Sequence, residues 1–289
     1  MIKSTTLWLR IIFVAAVLTG SVSNGLADEP NAAALKQQVE SFYQAGKYRE
    51  AIAIAERLLE LTKQTFGTED LHTAEALDTL GSLYTQAGEY AKAGPLLQQA
   101  LQIITKLCGN EKPDAAGILA HLARLDMATG KFIEAEALLQ QALQIRKQSF
   151  GTEHPETVKS LRDLGALYVE IGEFAKAEAP LQQALEISEK LFGLGHAQTA
   201  QDLHALGMLY MSLGDYARAE PILVDALAIT KQAYGAKHPQ TLRMLHDVGI
   251  LYLKLGDEKK AESYLLQSLE LEEKALGPQH PETVATLNL

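Results

Sequence analysis

Three histidines are the residues best placed, by type and recurrence, to do chemistry. His154, His238 and His280 each precede a proline in a G-x-x-H-P loop, and imidazoles repeated in one setting can ligate a metal or move protons. Their spacing argues against both roles. They stand at multiples of 42 residues, on units whose helices sit about 8–10 Å apart, whereas metal ligands converge to about 2 Å of one ion. The loop itself supports a structural role, with histidine at a helix cap and proline in the first helical turn. The single cysteine, Cys108, excludes an intramolecular disulfide. It shares a slot with Phe66, Phe150, Phe192, Tyr234 and Leu276, so a buried packing thiol is expected. No nucleophile elbow, H-E-x-x-H helix, CxxC pair or phosphate loop occurs. No catalysis, metal or cofactor is expected, and the chemistry must be that of surfaces.

The elements that hold these loops are readable from the spacing of apolar residues. Between Glu156 and Ala197, Leu161, Leu164, Leu167, Tyr168 and Ile171 recur at three-, four- and seven-residue offsets, which places them on one helical stripe. Gly172 ends that helix, because glycine enters the left-handed conformation without a Cβ penalty. A second stripe, from Phe174 through Ala177, Leu181, Ala184, Ile187 and Leu191, runs to Gly193. Neither helix buries its stripe alone, so the hairpin must stack on neighbours. The neighbours are present as copies. The glycine between the helices recurs as Gly46, Gly88, Gly130, Gly172, Gly214 and Gly256, every 42 residues, and an alanine keeps step from Ala51 to Ala261. In the first helix Gly81, Ala123, Gly165, Gly207 and Gly249 share a slot. A mid-helix glycine costs about 1 kcal/mol relative to alanine, so this slot implies a close helix crossing.

This order of residues, carried in the central copy by Leu161, Leu164, Gly165, Tyr168, Gly172, Phe174, Ala177 and Ala184, resembles the tetratricopeptide repeat. Leu161 stands where that pattern has tryptophan, and the period is 42 residues rather than about 34. The longer second helix and the G-x-x-H-P loop are similar to the repeats of kinesin light chains and their bacterial relatives. The resemblance covers residues 30–289. It implies an all-α fold, a right-handed superhelical solenoid of antiparallel helix hairpins, with six full repeats over residues 32–281 and a truncated seventh over 282–289.

Departures from the pattern carry their own expectations. The first repeat's outer helix bears Lys36, Gln37 and Gln38 and reads as a polar cap. In the third repeat Asp126 takes the slot of Tyr84, Tyr168, Tyr210 and Tyr252, and a local opening of that turn is expected to hydrate the carboxylate. Ahead of the repeats, Lys3, Arg10, the apolar run from Ile11 to Leu18 and Gly25-Leu26-Ala27 read as a secretory signal peptide over residues 1–27, with a short lead at 28–31. The apolar run is shorter than the about 20 residues a membrane span needs. An exported protein, periplasmic or secreted and free of the membrane after cleavage, is therefore expected. Its formal charge is −10 and becomes −12 once residues 1–27, with two cations and no acid, are removed. That balance disfavours nucleic acid and anionic membranes as partners.

In the tetratricopeptide family the first helix of each hairpin lines an inner groove, and the resemblance implies which positions face it. Here they read Lys159, Arg162, Ala166 and Val169 in the fourth repeat, and Gln201, His204, Met208 and Met211 in the fifth. The sixth offers Arg243, His246, Ile250, Leu253 and Lys254. Basic residues thus flank an apolar, partly methionine-lined track, with Arg162 and Arg243 expected to point into solvent. The partner expected is a protein or peptide whose acidic segment carries apolar anchors, and the histidines could add charge as pH falls. In the first two repeats the same positions hold Glu40, Glu75, Asp78 and Ser82, apart from Lys36, so Glu75 and Asp78 read as an opposite half outside the site. The function expected is that of a non-catalytic protein–protein interaction scaffold. The alternative is the N-terminal regulatory array of a longer, truncated enzyme, for example a caspase-like protease.

Overall fold

Two glycine slots cut the chain into helices. A computed structural model describes residues 25–109 and 112–275, with residues 283, 286 and 287. The leader, apart from the backbone of its last three residues, and the loop holding His280 lie outside the described residues. Among those described, twelve helices pair into hairpins: α1 (Gly25–Gln44) with α2 (Tyr48–Phe66), α3 (Leu71–Gln86) with α4 (Tyr90–Cys108), and α5 (Pro113–Ala128) with α6 (Phe132–Phe150). Then come α7 (Pro155–Glu170) with α8 (Phe174–Phe192), α9 (Ala197–Ser212) with α10 (Tyr216–Tyr234), and α11 (Pro239–Leu255) with α12 (Glu258–Ala275). Each helix packs on the next in the chain, and neighbouring first helices also touch, so the hairpins stack as an all-α solenoid. No helix among the described residues is long and apolar enough to cross a membrane.

The glycines turn as their slots require. Those inside the hairpins, from Gly46 to Gly256, have φ of 69–77°, and those after the second helices, from Gly67 to Gly235, have φ of 85–93°. Inside the hairpin the turn closes by a bond from the residue after glycine to the carbonyl five back, as Glu173 N–H donates to Tyr168 O at 2.8 Å. The histidine loops are caps. The Nδ1 of His154 accepts from Glu156 N at 3.2 Å, and that of His238 from Gln240 N at 3.3 Å, with Pro155 and Pro239 in the first turn. Their rings stack on Phe150 and Tyr234 at 4.4 Å between centroids.

Close crossing explains the first-helix glycines. A Cβ on Gly165 would meet Leu181 Cγ at 2.5 Å, and one on Gly207 or Gly249 would meet Leu223 or Leu265 at 2.6 Å. The alanine slot from Ala51 to Ala261 is fully buried in every repeat. Two expectations fail. Cys108 is half-buried rather than buried, because its slot is the rim position where the aromatic residues of other repeats stack on histidine. Asp126 does not open its turn: Lys131 N–H donates to Asp126 O at 2.8 Å, the same closure as elsewhere, and the carboxylate lies 3.7 Å from Lys131 Nζ. Burial raises its pKa, and Lys131 only partly offsets this. In the second, fourth, fifth and sixth repeats this slot holds a tyrosine that donates to a glutamate on the preceding second helix, as Tyr168 does to Glu136 at 2.7 Å and Tyr252 to Glu220 at 2.9 Å. The slot of Glu136 and Glu220 is Gly94 where the tyrosine slot is Asp126, whereas Tyr84, facing Ile52 in that slot, bonds Glu56 at 2.6 Å instead.

Candidate interaction groove

First helices alone wall the inner face, because each second helix is spent packing between its own partner and the next repeat. A cavity of about 480 Å³ lies between α7, α9 and α11, lined by apolar Ala166, Val169, Ala205, Met208 and Met244 and by the charged Arg162, Arg243, Asp163 and Glu170. Another, of about 600 Å³, draws on α1, α3, α5, α7 and α9, and its wall includes Tyr43, Asp78, His121, Arg124, Lys159 and Gln198. Arg162 and Gln201 line both cavities, so the two adjoin along the inner face.

Most of the polar groups in that groove bridge consecutive repeats. One slot, at positions 36, 78, 162, 204 and 246, reaches the next first helix each time. Lys36 pairs with Glu75 at 2.6 Å, Asp78 with His121 at 2.7 Å, and Arg162 donates to Asp202 at 2.8 Å. His204 meets Asp247 at 2.7 Å and His246 meets Thr286 at 2.8 Å. In the third repeat that slot is Ala120, and the link is made instead by Arg124, 3.7 Å from Asp163.

This ladder corrects the expectation for Arg162, whose side chain is 17% exposed and serves Asp202, which is fully buried and also accepts from Ser188 at 2.5 Å. Burial raises the Asp202 pKa, and the opposing pull of Arg162 and Ser188 does not fully offset it. With its amide oxygen turned to the guanidinium, Gln198 accepts from Arg162 at 2.8 and 3.1 Å. His204 is similarly enclosed. Lys159 lines the larger cavity but is held by Glu156 at 2.5 Å. Burial would raise the Glu156 pKa, yet Lys159, Arg146 and His154 outweigh it and leave the carboxyl low.

Arg243 is the cation that meets the original expectation, being exposed and without a carboxylate partner among the described residues. Met208 lines the smaller cavity beside it. Met211 and Ile250 are half-buried, Leu253 and Lys254 are exposed, and these four lie along the first helices outside both cavities. Nor is the acidic half separate, since Asp78 shares a cavity with Lys159 and Arg162.

Arg124, His121 and the buried Arg146 and Asp202 escaped the sequence reading. Arg146 donates to Ser160 at 2.7 Å and lies 3.3 Å from Glu156, and burial lowers its pKa. A signal was available in the register. The slots of Arg146 and Ser160 are filled one repeat earlier by Ile104 and Ile118 and one repeat later by Ser188 and Asp202. Both members therefore change polarity together.

The tetratricopeptide repeat family model matches residues 31–106, 114–190, 172–232 and 198–274. No curated protein sequence matches the chain. Among solved structures it is similar to BtubC (BKLC) from P. vanneervenii, at 26% identity and a TM-score of 0.58 over 86% of this chain and 94% of that one. It is also similar to a putative kinesin light chain with nearly identical TPR-like repeats from Podosopora anserina, at 28% identity and a TM-score of 0.56 over 70% and 95% of the two chains. A Rap protein complexed with competence and sporulation factor shares the fold, at 16% identity and a TM-score of 0.60 over 96% and 89%.

Proposed function

Because the chain belongs to the tetratricopeptide repeat family, and to its kinesin-light-chain-like type, we propose that it is a non-catalytic interaction scaffold that holds an acidic segment with apolar anchors in the groove of repeats four to six. One observation carries this reading: Arg243, exposed and without a carboxylate partner among the described residues, lines a cavity of mixed polarity together with Met208. A guanidinium so placed can form a two-pronged bond to a carboxylate, and methionine adapts to the shape of the anchor beside it. Lys254 and Leu253 extend the same pairing of charge and apolar surface along α11.

Selection from a random peptide library displayed on phage tests the reading. The unaltered protein should enrich acidic residues next to aliphatic ones, with binding that weakens as salt rises. Arg243→Glu should lose the acidic enrichment and keep the aliphatic one. Equal enrichment by both proteins, or none by either, would overturn the proposal. Export belongs to the same reading, and rests on the leader-like residues 1–27. Mature protein should begin at about Asp28 outside the cytoplasm, and a cytosolic product retaining Met1 would count against it.

A further inference from the structure

Resting on that reading of the smaller cavity, we propose that the whole groove takes one extended segment in a fixed charge order: a basic residue at repeats one and two, an acidic residue at repeats three and four, then the apolar anchors. The two cavities share Arg162 and Gln201, so an occupant of one can continue into the other.

The walls differ in sign along the path. At the first end Asp78 has one oxygen taken by His121 at 2.7 Å, and its second has no partner among the described residues. A carboxylate accepts several hydrogen bonds, and Tyr43, Thr79 and Ser82 stand around it in the same cavity. This end suits an ammonium or guanidinium. In the middle Arg124 is 45% exposed and 3.7 Å from Asp163, beyond hydrogen-bond length, so its donors remain available. Lys159, also 45% exposed, is held among the described residues by Glu156 on its own helix. Both face the cavity and suit a carboxylate. Where the cavities meet, Gln201 donates to Gln240 at 3.3 Å, and the second amide proton of Gln201 and the amide group of Gln240 can still pair with the backbone of an extended chain. Beyond them lies the apolar surface of Ala166, Ala205 and Met208.

Three labelled synthetic peptides test the order on the full chain by fluorescence anisotropy. One runs lysines, glutamates, then leucine and methionine. A second has the same composition with the lysines and glutamates exchanged, a change that binding in the reverse direction cannot rescue. The third lacks the lysines. The first should bind about tenfold tighter than either other peptide, the size expected of one charge-assisted contact, and Asp78→Lys should erase its advantage over the third. Because Asp78 also bridges to His121, Asp78→Asn serves as a second variant and should lower that advantage without reversing it. Equal binding of the first two peptides overturns the charge order, as does binding of the first that Asp78→Lys and Asp78→Asn leave unchanged. In those cases binding of the third peptide leaves the acidic–apolar reading standing. If none of the three binds, both proposals fall.

Discussion

At the scale of single residues, position in the ladder separates side chains that the sequence makes look alike. Arg162 and Arg243 are both cations on first helices, yet only Arg162 neutralises a fully buried carboxylate, Asp202. Reversing Arg162 to glutamate would leave that carboxylate unpaired beside a like charge, a loss on the order of 3–5 kcal/mol. The same change at exposed Arg243 should shift stability by less than about 0.5 kcal/mol, so urea melts of the two variants should differ plainly. Asp202 adds a pH signature. Its folded pKa is raised by burial, so its contribution to stability is greatest below the unfolded carboxyl pKa of about 3.9. That contribution declines as pH rises through the elevated folded value. The stability of the native chain relative to Asp202→Asn should therefore fall as pH rises above about 4. A difference that stays flat, or grows, would mean that Arg162 dominates the burial. None of this was legible from the sequence, because which residue a groove cation reaches depends on the neighbouring helix.

At the scale of helices and hairpins the sequence was far more explicit. A glycine at one phase in four repeats, with alanine at Ala123 in a fifth, has few physical explanations, and close crossing over Leu97, Leu181, Leu223 and Leu265 is the one the structure shows. The same substitution should therefore change sign with position. Gly165→Ala forces a Cβ to 2.5 Å from Leu181 Cγ, an overpacking of about 1–3 kcal/mol against about 1 kcal/mol of helix propensity gained. It should destabilise. Gly117→Ala, in α5, meets nothing within 4 Å, and should stabilise by about 1 kcal/mol. Equal thermal shifts for the two would remove crossing as the reason for the slot. The Asp126 turn shows where pattern reading stops. A single departure suggested opening to solvent, but the compensation lay elsewhere, in Lys131 and in the glycine at position 94.

For the molecule as a whole, stability is a chain of junctions, each between a second helix and the next first helix. At the α6–α7 junction the loop-end packing divides: Ala142 and Ile145 belong to one buried apolar cluster, Val158 and Leu161 to another. Between them lie Arg146, Ser160 and Glu156. A buried guanidinium pays a desolvation cost that its partners offset only in part, and replacing such groups with apolar ones of similar volume often stabilises by about 1–4 kcal/mol. The chain already contains the apolar solution one repeat earlier, where Ile104 and Ile118 fill the same two slots and are buried. Arg146→Ile together with Ser160→Ile should thus raise the denaturation midpoint and increase hydrogen-exchange protection in α6 and α7 together. Ser160→Ile alone should do the opposite, since it leaves the buried guanidinium short of an acceptor at a cost of about 1–3 kcal/mol. The two changes must then be strongly non-additive, as groups sharing one contact are. Additive effects would show that the junction is set by its surrounding apolar contacts and that Arg146 and Ser160 act independently within it.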